Sequence, residues 1–377
     1  MTRGRDLDAA RLKAFLSGLV SGQGELPEVP AEWLIRHRLD ALAYHEAQRW
    51  GMRLPPGWAP LRDRYYQTLA QSALQWDGFL RVLRLLHGHE IEAVLLKGAA
   101  LNATVYRRLG LRSMGDVDLW LPRGRMRVAE ELLLGEGYAH ARKDERPLPL
   151  QEHILGEMEL VPLRPGLCAL DLHWLPFQGL WVRYVVRYDP DEMWERTVPV
   201  DLEGVSARVL SPEDMVIHLC THFAVNHQCG DPWARTLVDL ALFLRHHPLD
   251  WDRLAARVES MNLRTVVGRV LEWVYQVIGL GLFPCPSLRL SEPRRRWLDA
   301  VQSLEDVLAA HDLRHSHRRY LLLVGLVDRP SGLLGVLGRA LWPERDWLAA
   351  RYSVRTPIEL GVARGRHLWR LLTSPRF

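Results

Sequence analysis

The chain has 377 residues, of which 48% are hydrophobic and 25% charged, with a formal charge of +4 at pH 7. That length exceeds one ordinary core and predicts two or three domains with ample apolar material, which excludes a disordered or low-complexity protein. The small charge, with arginine scattered among acids, excludes a nucleic-acid-binding stripe, and no stretch reaches the roughly 18 apolar residues that a membrane span requires.

The opening MTRGRDLDAARLKAFLSGLV interleaves charge throughout and lacks a signal-peptide core, so the sequence predicts a cytoplasmic protein. From there to about residue 88 the pattern is helical. Pro30 to Ala47 and Trp58 to His87 place apolar residues three and four apart, with Pro55-Pro56-Gly57 as the break. Ile91 to Leu96 then forms a short apolar strand candidate ending at Lys97-Gly98, followed by a helical pattern from Ala99 to about Leu109. The chain has only three lysines, Lys13, Lys97 and Lys143, so Lys97 stands out where arginine is the default base.

After the loop RLGLRSMG comes GDVDLWLP, an extended segment with two acids. Successive strand side chains point to opposite faces, so Asp116 and Asp118 share one face while Val117, Leu119 and Leu121 take the other. Two carboxylates about 7 Å apart repel and lose hydration unless a cation sits between them, and a hard divalent ion with oxygen ligands answers that need. A pair of aspartates on a solvated edge strand is the plain alternative. Arg123 to Gly135 reads as an amphipathic helix closing at Gly137.

Leu155 to Pro162 and Leu167 to Trp174 alternate like strands around Arg164-Pro165-Gly166-Leu167, where Pro then Gly suits a type II turn. In the second strand Ala169, Asp171 and His173 share a face, which brings a third carboxylate into an apolar strand. A loosely extended region follows. Ser211-Pro212-Glu213-Asp214 then combines an N-cap, a proline at the first helical position and an acid three residues on, and the chain reads as nearly all helix from there. His218 and His222 share a face of that first helix. Such a pair binds zinc only with a third ligand, and packing or the lining of an acceptor pocket are its other readings. RRYLLLVGLVDRPSGLLGVLGRALWP reads as a helical hairpin with its turn at Asp328, or else as an apolar surface for a membrane or a protein. The four cysteines, Cys168, Cys220, Cys229 and Cys285, lie far apart without C-x-x-C spacing and read as reduced packing residues.

Three carboxylates on two strands beside a glycine turn that opens a helix is equipment for Mg²⁺ and a nucleoside triphosphate: helix-terminal amides receive phosphate, and metal ions bridge carboxylates to phosphate oxygens. The run VLLKGAALNATVYRRLGLRSMGDVDLWLPRGRMRVAEELLLGEGY resembles the uncharacterised nucleotidyltransferase family of the polymerase-beta-like superfamily. That family's pattern is an apolar strand, Lys-Gly, a helix with Tyr, then Arg and Asp-x-Asp. LDLHWLP, LSPEDMVIHLCTHFAVNH and TLVDLALFL look like its downstream segments, over roughly residues 60 to 280, and WPERDWLAARY does so more faintly.

The resemblance implies an α+β fold, a small mixed-sheet nucleotidyltransferase core (89–205) flanked by an N-terminal helical region (1–88) and a C-terminal helical domain (206–377). It implies Asp116 and Asp118 as paired metal ligands, Asp171 as third carboxylate, ligand or general base, and Gly98 as the phosphate-turn glycine. Better-known superfamily members carry Gly-Ser at this turn, whereas here it reads Lys97-Gly98-Ala99 with a longer path to Asp116. Lys97 and Arg112 are the bases suited to replace that hydroxyl on phosphate, and His173 is suited to orient substrate or Asp171. The implied activity is transfer of an NMP from an NTP such as ATP, with Mg²⁺ or Mn²⁺, to a hydroxyl or similar nucleophile of a small molecule or a peptide. Family members look to be encoded often beside peptide natural-product genes, so peptide modification fits. Transfer of another phosphate-linked group, such as a sugar from a nucleotide-sugar, is one alternative, and a non-catalytic nucleotide-binding antitoxin or partner module is the other.

Overall fold

A computed structural model describes residues 8–22, 25–141, 156–309, 313, 316–354 and 356–373. Seven strands make one mixed sheet: β1 (Val94–Leu95), β2 (Val117–Trp120), β3 (Tyr138–His140), β4 (Glu157–Pro162), β5 (Leu170–His173), β6 (Val198–Leu202) and β7 (Val205–Val209). Their spatial order is β3-β4-β5-β2-β1-β7-β6. Helices surround the sheet, so the class is α+β, with the strands between Val94 and Val209 and helices before and after them.

Strand β1, between β2 and β7, is two residues long because Leu96 leads straight into a turn. Every residue from Ala93 to Leu96 is buried, as expected for a short apolar run deep in a sheet. β1 pairs antiparallel with β2 (Val94 opposite Trp120) and parallel with β7 (Val94 opposite Arg208). β2 in turn lies parallel to β5, and β5 antiparallel to β4.

The β4–β5 hairpin forms as the alternation predicts, and Gly166 takes the positive φ of 80° that its turn needs. Gly78, on the long helix Ala59–Gly88, lets that helix touch the same turn: a Cβ there would stand 2.7 Å from the carbonyl of Gly166. Leu155, the first residue of the predicted strand Leu155 to Pro162, falls outside the described residues.

Several elements differ from the sequence reading. The predicted helix from Pro30 to Ala47 is two helices, Ala31–Arg36 and Asp40–Arg49, broken where Arg38 adopts φ 53°. The helix expected over Ala99 to Leu109 starts at Lys97, widens into a π-helical turn at Asn102–Tyr106 and stops where Arg107 turns left-handed at φ 50°. Strand β3 was not anticipated; it follows Gly137, which closes the helix Met126–Gly135.

The region read as loosely extended holds the short helices Leu180–Val185 and Pro190–Glu195 and the β6–β7 hairpin. That hairpin turns at Glu203 (φ 54°) and Gly204 (φ 81°), the two-residue left-handed turn that matches strand twist.

From Ser211 onward the structure is helical, as expected. Ser211 caps the helix Pro212–Thr221 by accepting from the Asp214 amide, and Asp214 is held in place by Arg196 and Arg257. Trp233–His246, Trp251–Ser260 and Arg264–Ile278 follow. The apolar stretch near the C-terminus is two helices, Arg318–Gly325 and Pro330–Leu341, parted at Asp328, whose carboxylate accepts from the Thr265 amide and hydroxyl. All four cysteines are buried and unpaired with one another. No described helix is long and apolar enough to cross a membrane.

Candidate active site

The strand register assembles the acids. Asp118 lies directly opposite Asp171 on the parallel pair β2–β5, Trp120 lies opposite His173, and Glu157 on β4 lies opposite His173 from the other side. Residues in register point to the same side of a sheet, so these side chains share one patch. Asp116, just before β2, shares the face of Asp118 by the two-residue period. The carboxylates Asp116, Asp118, Asp171 and Glu157 line a cavity of about 440 Å³ that also includes Lys97, Gly98, Arg112, Gln178, His222, Arg235 and Asp239, while Trp120 and the buried His173 do not line it.

Lys97 reaches this patch from the turn after β1. The amide of Leu96 donates to the carbonyl of Asp118 at 3.0 Å, so the turn is fixed to β2, and Lys97 itself stands at φ 41°. A non-glycine residue in that region is strained and persists only where its surroundings hold it. What holds it here is an ion pair: Lys97 Nζ is 2.6 Å from Asp118 Oδ1.

His173 Nε2 is 3.0 Å from the same oxygen, while the Gln178 amide contacts Nδ1 and Glu157 Oε2 lies 3.7 Å from it. With the Gln178 amide donating to Nδ1, the ring carries its proton on Nε2 and donates to Asp118. His173 thereby orients Asp118.

These contacts separate the carboxylates by proton affinity. Burial pushes Asp118 up, but the Lys97 ammonium and the His173 hydrogen bond outweigh it, leaving Asp118 far below the usual carboxylate range. Asp171 is pushed up to about 8 by burial and by the charges of Asp118, Asp116 and Glu157. Burial followed by Asp118 likewise raises Asp116, and burial raises Glu157 despite His173 and Lys97 nearby. Burial alone would lower Lys97; the carboxylates of Asp118, Glu157 and Asp171 more than offset it and hold the amine charged.

The opposite rim is built by the loop before β2. Arg112 makes a two-pronged bond to Asp239 of the helix Trp233–His246, with nitrogen to oxygen distances of 3.1 and 2.9 Å. Tyr106 donates to Asp239 at 2.7 Å, and Arg235 contacts both Asp239 and the carbonyl of Ser113. The Arg112 carbonyl accepts from Asn102 at 3.2 Å. Gly98 is needed beneath this arrangement: a Cβ there would lie 2.5 Å from Arg112 Nη1.

The two histidines on the helix after Ser211 part company. His222 lines the cavity, whereas His218 packs against Phe177 at a ring separation of 5.5 Å, and burial lowers its pKa to about 3. Among the described residues, the one group of three with metal-ligating atoms all within 4.8 Å of one another is Asp118, Asp171 and His173. Asp116 lines the same cavity outside that group, and neither His218 nor His222 belongs to it.

The donor set fits a hard divalent cation. Four carboxylates crowd around one ammonium, and the raised Asp171 and Asp116 record the negative charge that Lys97 leaves unbalanced. Glu157, Gln178, Arg38, Arg235 and Asp239 went unnoticed in the sequence. Asp239 carries a legible signal, an acid inside the apolar run TLVDLALFL, while Glu157 becomes visible only through its pairing with His173.

A search of curated proteins returns no match. The model of the family described as uncharacterised nucleotidyltransferase matches residues 28–279. That span is more than half of the chain and takes in all seven strands, the whole cavity lining and the helices to Ile278. The chain therefore belongs to the uncharacterised nucleotidyltransferase family, and Asp118 and Asp171 of its candidate metal group line the cavity while His173 lies buried behind them.

Proposed function

We propose that the protein transfers a nucleoside monophosphate from an NTP to a hydroxyl or similar nucleophile of a small molecule or peptide, with Mg²⁺ or Mn²⁺ as cofactor. The observation that carries this reading is the pairing of Asp118 with Asp171 across β2 and β5, beneath a rim bearing Lys97, Arg112 and Arg235. Acids on the floor and bases on the rim match the charge distribution of a metal–triphosphate.

Asp116, Asp118 and Asp171 would hold the metal, whose chemistry when bound is to neutralise phosphate charge and favour the departure of pyrophosphate. Asp118, kept ionised by Lys97 and aimed by His173, is the permanent anion of the set. Asp171 would serve as a metal ligand or as the general base that takes the proton of the attacking hydroxyl, its carboxyl being raised by burial and the acids around it when no metal is bound. Lys97 and Arg112 would receive phosphate oxygens, Arg112 as a fork already oriented by Asp239. Gly98 allows that guanidinium to lie close to the turn. His222, across the cavity, faces the space left for the acceptor.

Pyrophosphate release tests the reading: the protein is mixed with each NTP, Mn²⁺ and a panel of hydroxyl-bearing small molecules and peptides. Release that depends on Asp118 supports it. Turnover of nucleotide-sugars without pyrophosphate from any NTP would move the site to sugar transfer.

A further inference from the structure

The C-terminal helices turn apolar side chains away from the protein. On the helix Pro357–Thr373, Leu360, Ala363 and His367 are buried, and His367 Nε2 lies 2.8 Å from the carbonyl of Ala340 on the helix Pro330–Leu341. The opposite face presents Ile358 at 82% exposure, Val362 at 69% and Trp369 at 65%. With Gly365 between them, their spacing of four, three and four residues sets them along one line of the helix.

The helix Pro330–Leu341 does the same. Gly332 and Gly335 pack on Val185 and Tyr184, while Leu334, Leu337 and Leu341 stand outward and Trp342 follows them. Isolated exposed apolar residues are ordinary, but two aligned rows on neighbouring helices mark an interaction surface.

The charge around these rows identifies what they meet. Residues 316–373 carry ten arginines against four acids, a positive surplus larger than the +4 of the whole chain, so the rest of the protein is acidic on balance. Arg366 and Arg370 lie to one side of the Ile358–Trp369 row, each 5.7 Å over the ring of Tyr352, and Arg364 lies 4.2 Å over the ring of Trp342. A second copy docked through this same face would bring like charges together, and an uncharged apolar partner would offer the guanidinium groups no counter-charge. A basic helix with tryptophan and aliphatic residues on its outer face fits the headgroup boundary of an anionic membrane, lying in the plane of the surface.

We propose that the helices Pro330–Leu341 and Pro357–Thr373 form a docking surface for an anionic lipid bilayer. The apolar rows enter the headgroup region, the arginines pair with lipid phosphates, and Trp342 and Trp369 sit at the boundary with one edge apolar and the other wet.

The test is co-sedimentation of the full chain with vesicles of phosphatidylcholine alone and of phosphatidylcholine with phosphatidylglycerol, read alongside tryptophan emission. The expected result is binding to the anionic vesicles with a blue shift, weakening with salt, and little binding to the neutral ones. Arg366→Gln with Arg370→Gln should weaken binding on the order of 30-fold, at roughly one kcal/mol per surface arginine. Ile358→Asn with Trp369→Ser should abolish it while leaving the melting temperature unchanged, because both side chains are already in water. The proposal is overturned by absence of co-sedimentation or by anionic-vesicle binding indifferent to both double variants. A concentration-dependent dimer that disappears in the Ile358→Asn, Trp369→Ser variant would overturn it too, assigning the surface to a second copy.

Discussion

Lys97 places its ammonium 2.6 Å from Asp118 Oδ1 from a backbone held at φ 41°, so the turn after β1 delivers a built-in cation to the carboxylate cluster. Removing one partner of a buried ion pair leaves the other uncompensated, at a cost of about 3 kcal/mol or more. Lys97→Met should lower the stability of the metal-free protein by that order in urea unfolding. Mn²⁺ should recover more stability in the variant than it adds to the wild type, because the ion then supplies the missing charge. Equal stability of variant and wild type without metal would remove the pair from the structure's supports.

Asp116 behaves differently from a structural aspartate, since burial and the neighbouring Asp118 already disfavour its charge. Asp116→Asn should leave the metal-free melting temperature unchanged or slightly higher, and should abolish both transfer and the upward shift with Mn²⁺. Melting curves of both proteins with and without Mn²⁺ decide this. A variant that melts earlier yet keeps its metal response would make Asp116 a packing residue.

The pH dependence follows from Asp171. Its carboxyl titrates near 8 in the folded chain and near the ordinary value of about 3.9 in the unfolded one. Between those values the folded state holds a proton that the unfolded state has lost, so this contribution to stability falls as pH rises toward 8. Buried neutral histidines such as His218 act oppositely, but only below their unfolded value of 6.5. Asp118, already ionised well below this interval, adds no slope there. The metal-free melting temperature should therefore drift down from pH 6.5 to 8, and the gain from Mn²⁺ should grow over the same interval as Asp171 ionises. Differential scanning calorimetry of wild type and Asp171→Asn checks both trends, and both should be smaller in the variant, where the raised Asp116 and Glu157 remain.

Asp239 gathers Arg112, Arg235 and Tyr106 around one carboxylate. Asp239→Ala strands two buried guanidinium groups and should destabilise the fold by about 3–5 kcal/mol. Tyr106→Phe removes only one hydrogen bond to a charged acceptor, about 2 kcal/mol, and should leave nucleotide affinity close to wild type. Urea unfolding of both variants, with nucleotide titration of the second, tests the ranking.

Gly98→Ala is the mildest probe of the phosphate turn. Its added methyl would meet Arg112 Nη1, a group that Asp239 prevents from yielding freely. NTP affinity should drop on the order of 10-fold, about 1.4 kcal/mol, with a smaller change in melting temperature. An unchanged affinity in equilibrium nucleotide binding would show that the Arg112 fork does not meet the triphosphate.

Local periodicity carried much of the fold. The strand with Asp116 and Asp118, the hairpin ending in Asp171 and His173 and the Ser211 cap are all set by neighbours within a few residues, so they can be read from the chain. The β6–β7 hairpin was also written in alternating valines around Glu203-Gly204, but the exposed Val198 and the flanking charges masked its period. Distance defeats sequence reasoning elsewhere. That Lys97 meets Asp118, that Arg112 belongs to Asp239, and that Glu157 stands beside His173 are products of strand order and helix packing. No spacing along the chain encodes them.

Strand β1 shapes how the chain reaches this state. Val94 is flanked by Trp120 on one side and by Arg208 on the other, so β1 stays an edge strand until β7 has been made. The loop that this pairing closes is long, and so distant a contact pays its entropic cost before gaining its burial. During synthesis the apolar run from Ala93 to Leu96 must wait, with one edge unpaired, for the ribosome to deliver residues more than a hundred positions later. The nascent chain therefore carries an open apolar edge until the β6–β7 hairpin emerges, although β2, β4 and β5, which bear the acid cluster, precede that hairpin.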